Sequence, residues 1–290
     1  GTPRLMLGTG GQVPLRPRPD TPKGAPMASR STHIRSLITA ALTSSALGIA
    51  APAAASTPPA DSTPTTLSAG AATNDALCDP FFAAIEAMDA DQPDPAVAGP
   101  ALDAAAAAAP DELHADMVTA ASLGHQQLDG TIKQNETPPI ALFNSLSNVS
   151  TYLFEHCRFD GRLDVQGTEY SFTGIPAQIP SGTYGILLRN TGGQQHMMGI
   201  FRRNDGETAA WQDLLMLPQD QFGSHVQPVT FSFAPANGNA WLRRIALTPG
   251  DYVAVCFITE GSVVKADGSY VDGTGPAHFM KGMMTEFHVS

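Results

Sequence analysis

The sequence predicts an α+β protein in which a helical segment precedes an all-β one. Two observations carry this. Up to about residue 157 the large apolar residues recur at spacings of three and four, and from Asp160 onward glycine and proline punctuate short β-type runs. Two of the 3 cysteines, Cys78 and Cys157, bracket the first segment.

The chain does not begin with Met, and Met27 reads as a natural start, so residues 1–26 are expected to be an upstream extension, not native. Arg30, His33 and Arg35 then precede an apolar run over 37–51, broken by Thr39, Thr43, Ser44 and Ser45 and followed by Pro52-Ala-Ala-Ala55. That order of basic segment, apolar run and small-residue site predicts a signal peptide over 27–55. The run is short and rich in hydroxyls beside the about 20 apolar residues that a spanning helix needs. The expectation is therefore a secreted protein (extracellular or cell-envelope) with no stable membrane insertion after processing. Residues 56–74 are Ser, Thr, Pro, Ala and Gly with almost nothing large and apolar, and so predict a disordered linker.

The first 55 residues hold six of the 16 basic side chains and one of the 27 acidic ones, which leaves 10 against 26 and a formal charge of −16 on the remainder. An acidic chain without basic clusters excludes nucleic acid as a partner and favours a basic protein.

Within the helical module, 75–160, four helices are expected. The segment 79–88 carries Pro80 just inside its start, where a missing N–H costs nothing. Ala-rich 101–109 is helical by propensity. Asp111 caps a segment in which Leu113, Met117 and Ala121 fall on one face. The last helix enters at Pro138-Pro139 and aligns Phe143, Leu146, Val149, Leu153 and Cys157. Cys78 and Cys157 thus sit at the two ends of this module and, in an oxidising compartment, pair as a disulfide.

The second half, 161–290, predicts strands over 168–172, 183–190, 197–202, 229–233, 241–247, 252–258 and 284–289, with one inserted helix at 210–217. Many short strands at such spacing form a sandwich or barrel. Cys256 is left unpaired, which suggests a small buried core residue, a reactive thiol, an intermolecular bridge or a metal ligand.

Its setting favours the ligand. Cys256 closes the run Leu247-Thr-Pro-Gly-Asp-Tyr-Val-Ala-Val-Cys256, and His278-Phe-Met-Lys-Gly-Met283 follows after a Gly-rich loop. Soft sulfur donors select copper, zinc or iron–sulfur clusters, and a His₂Cys plane with a weak axial Met marks an electron-transfer copper. The second imidazole must come from upstream, where His196 stands at the turn between two apolar runs, in Asn190-Thr-Gly-Gly-Gln-Gln-His196.

At these residues the chain resembles the cupredoxins, plastocyanin and azurin among them, over roughly 161–290. The resemblance implies a Greek-key β-sandwich with one copper ion, held by His196, Cys256 and His278 as equatorial ligands and by Met283 as the axial one. It implies electron transfer or copper handling, not enzymatic catalysis, and a redox or copper-exchange partner. The alternative is a metal-free cupredoxin-like binding or structural domain in which the ligands are remnants.

Three features depart from the family pattern. Residues 257–277 separate Cys256 from His278, where the family usually has two to four positions; Met197 follows the first His where many members have Asn; and Met280-Lys-Gly resembles azurin whereas Met283 has the plastocyanin spacing. Met283 is preferred because the strand that follows it stays in register. The remaining histidines, His114, His125, His156, His225 and His288, are expected to be structural or exposed. The sequence has no His-x-His pair, Gly-x-Ser-x-Gly elbow, His-Glu-x-x-His, Walker or Rossmann glycine signature.

Overall fold

The computed structural model describes residues 75–90, 92–132, 139–265 and 270–290, so the extension, signal peptide and linker expected over 1–74 lie outside the described residues. Four helices come first: α1 (Cys78–Met88), α2 (Pro95–Ala108), α3 (Asp111–Leu128) and α4 (Ile140–His156). Their starts follow local chemistry. Asp94 caps α2 by accepting the Ala96 N–H, with Pro95 in the first turn. Asp111 and Glu112 place negative charge at the positive end of α3. The expected faces are buried, Leu113, Met117 and Ala121 on α3 and Phe143, Leu146, Val149 and Leu153 on α4. Cys78 and Cys157 are joined, closing the helical segment.

The second half folds as β1 (Gly161–Thr168), β2 (Ser171–Thr173), β3 (Gln178–Ile179), β4 (Gly182–Asn190), β5 (His196–Arg203), α5 (Trp211–Leu215), α6 (Gln219–His225), β6 (Val226–Ala234), β7 (Arg243–Leu247), β8 (Gly250–Val255), β9 (Val263–Val264), β10 (Tyr270–Val271) and β11 (Met284–Val289). One sheet has the order β2-β1-β4-β7 and a second the order β3-β11-β8-β5-β6. Leu163, Val165, Ile186 and Leu188 of the first meet Ile200, Val253, Val255, Phe287 and Val289 of the second in one core. Alternation along β4 decides the rest: Tyr184, Ile186 and Leu188 face that core, while Leu187 joins Leu242, Phe81, Leu146 and Leu153 in a second cluster. The helices therefore cover the outer face of the first sheet. The Leu242 N–H donates to Ser150 Oγ at 2.9 Å, and Arg162 donates to the Phe154 and Cys157 carbonyls at 2.6 Å, satisfying acceptors at the end of α4.

Two expectations need correction. The run 168–172 is a corner, not a strand: Thr168 ends β1, Ser171 begins β2, and the two are paired across Glu169 and Tyr170. The strand before it escaped notice because only Leu163 and Val165 point inward while Arg162, Asp164 and Gln166 occupy the other face. Asp111 does not cap α3 but is its first residue: Pro110 stands at the cap position and no side chain accepts there. The first correction matters for function, since it puts Glu169 and Tyr170 on a tight turn at one end of the sandwich.

Candidate metal centre

Topology brings three distant segments to one point. β8 is antiparallel to both of its neighbours, β5 and β11, so the start of β5, the end of β8 and the start of β11 share one edge of the sandwich. His196 is the first residue of β5, Cys256 follows the last residue of β8, and Met283 precedes β11. His278 opens a single 3₁₀ turn, His278–Lys281, which Gly282 ends at φ 106°, a left-handed conformation that other residues adopt at a cost.

The long excursion between Cys256 and His278 is a hairpin whose limbs are zipped at the base. Phe279 N–H donates to the Cys256 carbonyl at 2.9 Å, His278 N–H to Ile258 at 2.8 Å and Glu260 N–H to Pro276 at 3.0 Å, and Thr259 bridges Ala277. Further out, β9 pairs with β10. These backbone bonds close the base of the excursion, and the thiol and the imidazole stay adjacent despite its length.

His196, Cys256 and His278 are all buried, and one ligand atom from each lies within 4.8 Å of the others. The two Nδ1 atoms are 3.2 Å apart, and Cys256 Sγ is 3.5 Å from His278 Nδ1. With zinc bond lengths as a guide, about 2.0–2.1 Å to nitrogen and about 2.3 Å to sulfur, tetrahedral to trigonal angles put nitrogens roughly 3.3–3.5 Å apart and nitrogen and sulfur roughly 3.5–3.8 Å apart. The sulfur–nitrogen edge of 3.5 Å falls at the short end of its range and the nitrogen–nitrogen edge of 3.2 Å lies just below its own, so the three donors are already drawn in to about the spacing that one small ion requires. Among the described residues this is the one such cluster of His, Cys, Asp and Glu.

The electrostatics favour neutral donors. Burial pulls His278 down to about 4 and lowers His196, the latter against the opposing pull of Glu169. Burial also pushes the Cys256 thiol up to about 12, although the N–H groups of Met197 and Ile258 work the other way. The Met197 N–H lies 3.4 Å from Sγ. That bond comes from the backbone, so it does not depend on the side chain at 197. Two neutral imidazoles and a thiol that needs a cation to ionise form a donor set suited to a soft or borderline metal.

Met283 is buried, and its methyl and the His196 ring edge both border Gly167 of β1, 3.5 and 3.6 Å from where a Cβ there would lie. Met280, its rival, is 46 % exposed. The other histidines among the described residues have other partners or other places: His125 bonds Asp103, His156 a backbone carbonyl, His225 Glu207, His288 Asp251, and His114 is exposed on α3.

A polar roof over the centre was not visible in the sequence. Tyr170 meets the His278 ring edge-on at 4.8 Å between centroids, donates its hydroxyl to Glu260 at 2.6 Å and accepts from Gln194 at 3.0 Å. Lys281 bonds Glu260 at 2.8 Å and lies 4.0 Å above the Tyr170 ring. Buried Asn190 ties down the loop before His196 by donating to the carbonyls of Gln194 and Pro235 at 2.7 and 2.9 Å. These residues come from the β1–β2 corner, from the end of β4 and the connection after it, and from the two ends of the excursion between β8 and β11, and no spacing in the chain announces them; the sole hint is an Asn at a strand end.

The C-terminal half is similar to blue copper proteins. A reduced auracyanin from Roseiflexus castenholzii is 18 % identical over 44 % of this chain and 96 % of its own, with a TM-score of 0.30. Auracyanin A from Chloroflexus aurantiacus, described as a "blue" copper protein, is 18 % identical over 44 % and 98 %, at 0.28. Rusticyanin from Thiobacillus ferrooxidans is 18 % identical over 44 % and 77 %, also at 0.28. No family model and no curated protein matches the chain.

Proposed function

We propose that this protein carries one copper ion as a secreted one-electron carrier, with 75–160 as a helical module and 161–290 as the copper-binding module. His196 and His278 would hold the ion through Nδ1 and Cys256 as thiolate, with Met283 as the weak donor that the resemblance places axially. The observation that carries the reading is the convergence of the three buried ligand atoms, with Nδ1–Nδ1 and Sγ–Nδ1 separations of 3.2 and 3.5 Å. When bound, the metal supplies a Cu(II)/Cu(I) couple whose thiolate bond is strongly covalent. The chain's part is to hold the donors in a buried site under the Tyr170 roof and to keep water away from the ion. Secretion is supported by the signal-like segment at 27–55 and by the disulfide; no described helix is long and apolar enough to cross a membrane.

Metal uptake has a proton signature. At neutral pH both imidazoles are already unprotonated and the thiol is not, so copper(II) binding releases one proton, from Cys256. Calorimetry in buffers of different ionisation enthalpy should give one copper per chain and one proton released, with affinity rising about tenfold per pH unit around neutrality. Release of no proton would remove the thiolate from the site.

The axial assignment is tested by paired substitutions. Met283→Leu keeps the equatorial set and is expected to shift the reduction potential, while Met280→Leu, at an exposed position, leaves it unchanged. Cyclic voltammetry reads both, and the reverse ranking would transfer the axial role to Met280.

A further inference from the structure

His196 Nε2 is fully buried and has no hydrogen-bond partner, a condition that buried polar atoms seldom tolerate. A carboxylate faces it: Glu169 Oε1 is 3.8 Å away, on the corner between β1 and β2. That carboxylate is itself held in place. Gln194 N–H donates to Oε1 at 2.6 Å, and a Cβ at Gly192 would lie 2.5 Å from Oε1 and 2.6 Å from Oε2, so the absence of a side chain at 192 makes the space in which the carboxylate rests. Burial opposes the negative charge, but the backbone N–H of Gln194, with those of Glu169 and Gly193 and the charge interaction with His196, keeps the carboxyl below its ordinary range.

We propose that Glu169 is a positioning residue for the His196 ligand: its carboxylate selects the Nε2–H form of the imidazole, which leaves Nδ1 free for the metal, and its charge lowers the reduction potential of the centre. A neutral imidazole carries one N–H, and a carboxylate beside Nε2 stabilises that proton there. In the metal-free protein His196 Nδ1 is then an acceptor, and the other member of the 3.2 Å Nδ1–Nδ1 contact, His278, must be the donor. The Glu169 charge fixes which of the two rings is presented ready to ligate. Once copper is bound, the same negative charge stabilises the more positive Cu(II) state over Cu(I), and an imidazole whose outer N–H faces a carboxylate is a stronger donor. This second part rests on the copper reading; the first does not.

Two measurements separate them. Nitrogen-15 NMR of the metal-free wild-type chain should place the His196 proton on Nε2 and the His278 proton on Nδ1, and Glu169→Gln should reduce the Nε2–H fraction of His196. A His196 found as the Nδ1–H form in the wild type overturns the proposal whether or not copper binds. In the copper-loaded protein, Glu169→Gln should keep the visible band and weaken Cu(II) relative to Cu(I) about tenfold, a rise in potential of about 59 mV for one electron. An unchanged potential with an intact band overturns the electrostatic part. Gly192→Ala provides a second route if Glu169→Gln folds poorly, because the nearest atoms an added Cβ meets are the flexible end of the Glu169 side chain, and it should displace the carboxylate with the same rise in potential. A wild-type protein that takes up no copper defeats the proposed function, and the tautomer result still decides the role of Glu169.

Discussion

Replacing Cys256 by serine is expected to abolish the intense visible absorption of the copper-loaded protein and to lower copper affinity by more than the roughly 10–100-fold that changes around a ligand usually cost. The thiolate is the strongest donor in the set, and a serine hydroxyl does not ionise in its place. The fold should survive. The position is fully buried at the end of β8, the change is nearly isosteric, and the Met197 N–H that points at Sγ can donate to oxygen instead. Absorption spectroscopy and a copper-binding titration, with circular dichroism as the control for folding, read the outcome. A Cys256→Ser protein that kept the band would mean that the colour arises elsewhere.

The largest effect on stability is expected at the disulfide. Cys78 and Cys157 are separated by 79 residues, and in the chain-entropy model a cross-link closing a loop of that length stabilises the folded state by about 4.5 kcal/mol, relative to the opened chain. Removing both sulfurs, in Cys78→Ala/Cys157→Ala, should lower the urea midpoint by a corresponding amount without changing the copper spectrum, because the bridge lies in the helical cluster and the centre lies in the core of the sandwich. A loss below about 1 kcal/mol would show that the helices are held mainly by their packing on the first sheet, through Leu187 of β4 and Leu242 just before β7, and not by the covalent link.

Much of this architecture was legible in the chain because its signals are local. The 113/117/121 and 143/146/149/153 stripes are helical periods that map directly onto buried faces, and the two cysteines that bracket them meet. His196, Cys256, His278 and Met283 were legible for a different reason: each sits at a strand end or turn whose glycines, prolines and apolar runs mark it in sequence. The strand β1 was not legible, since a half-exposed strand with two inward apolar residues reads as polar chain. Nor was the closure of the 257–277 excursion, which depends on backbone hydrogen bonds that carry no side-chain signature. Glu169, Tyr170, Gln194 and Glu260 reach the centre only through tertiary folding, and each alone looks like an ordinary surface residue.

The charge distribution bears on partners in the same physical way. With 10 basic and 26 acidic side chains after residue 55, long-range attraction favours basic molecules over acidic ones, and association with them should slow as salt is added.

The central claim is that one metal ion binds between the Cys256 thiolate and the Nδ1 atoms of His196 and His278. X-ray absorption at the copper edge of the loaded wild-type protein tests it most directly. The account predicts one copper per chain with a single short copper–sulfur distance and two copper–nitrogen distances from imidazole. A coordination shell of nitrogen and oxygen alone, with Cys256 still reduced, would contradict it.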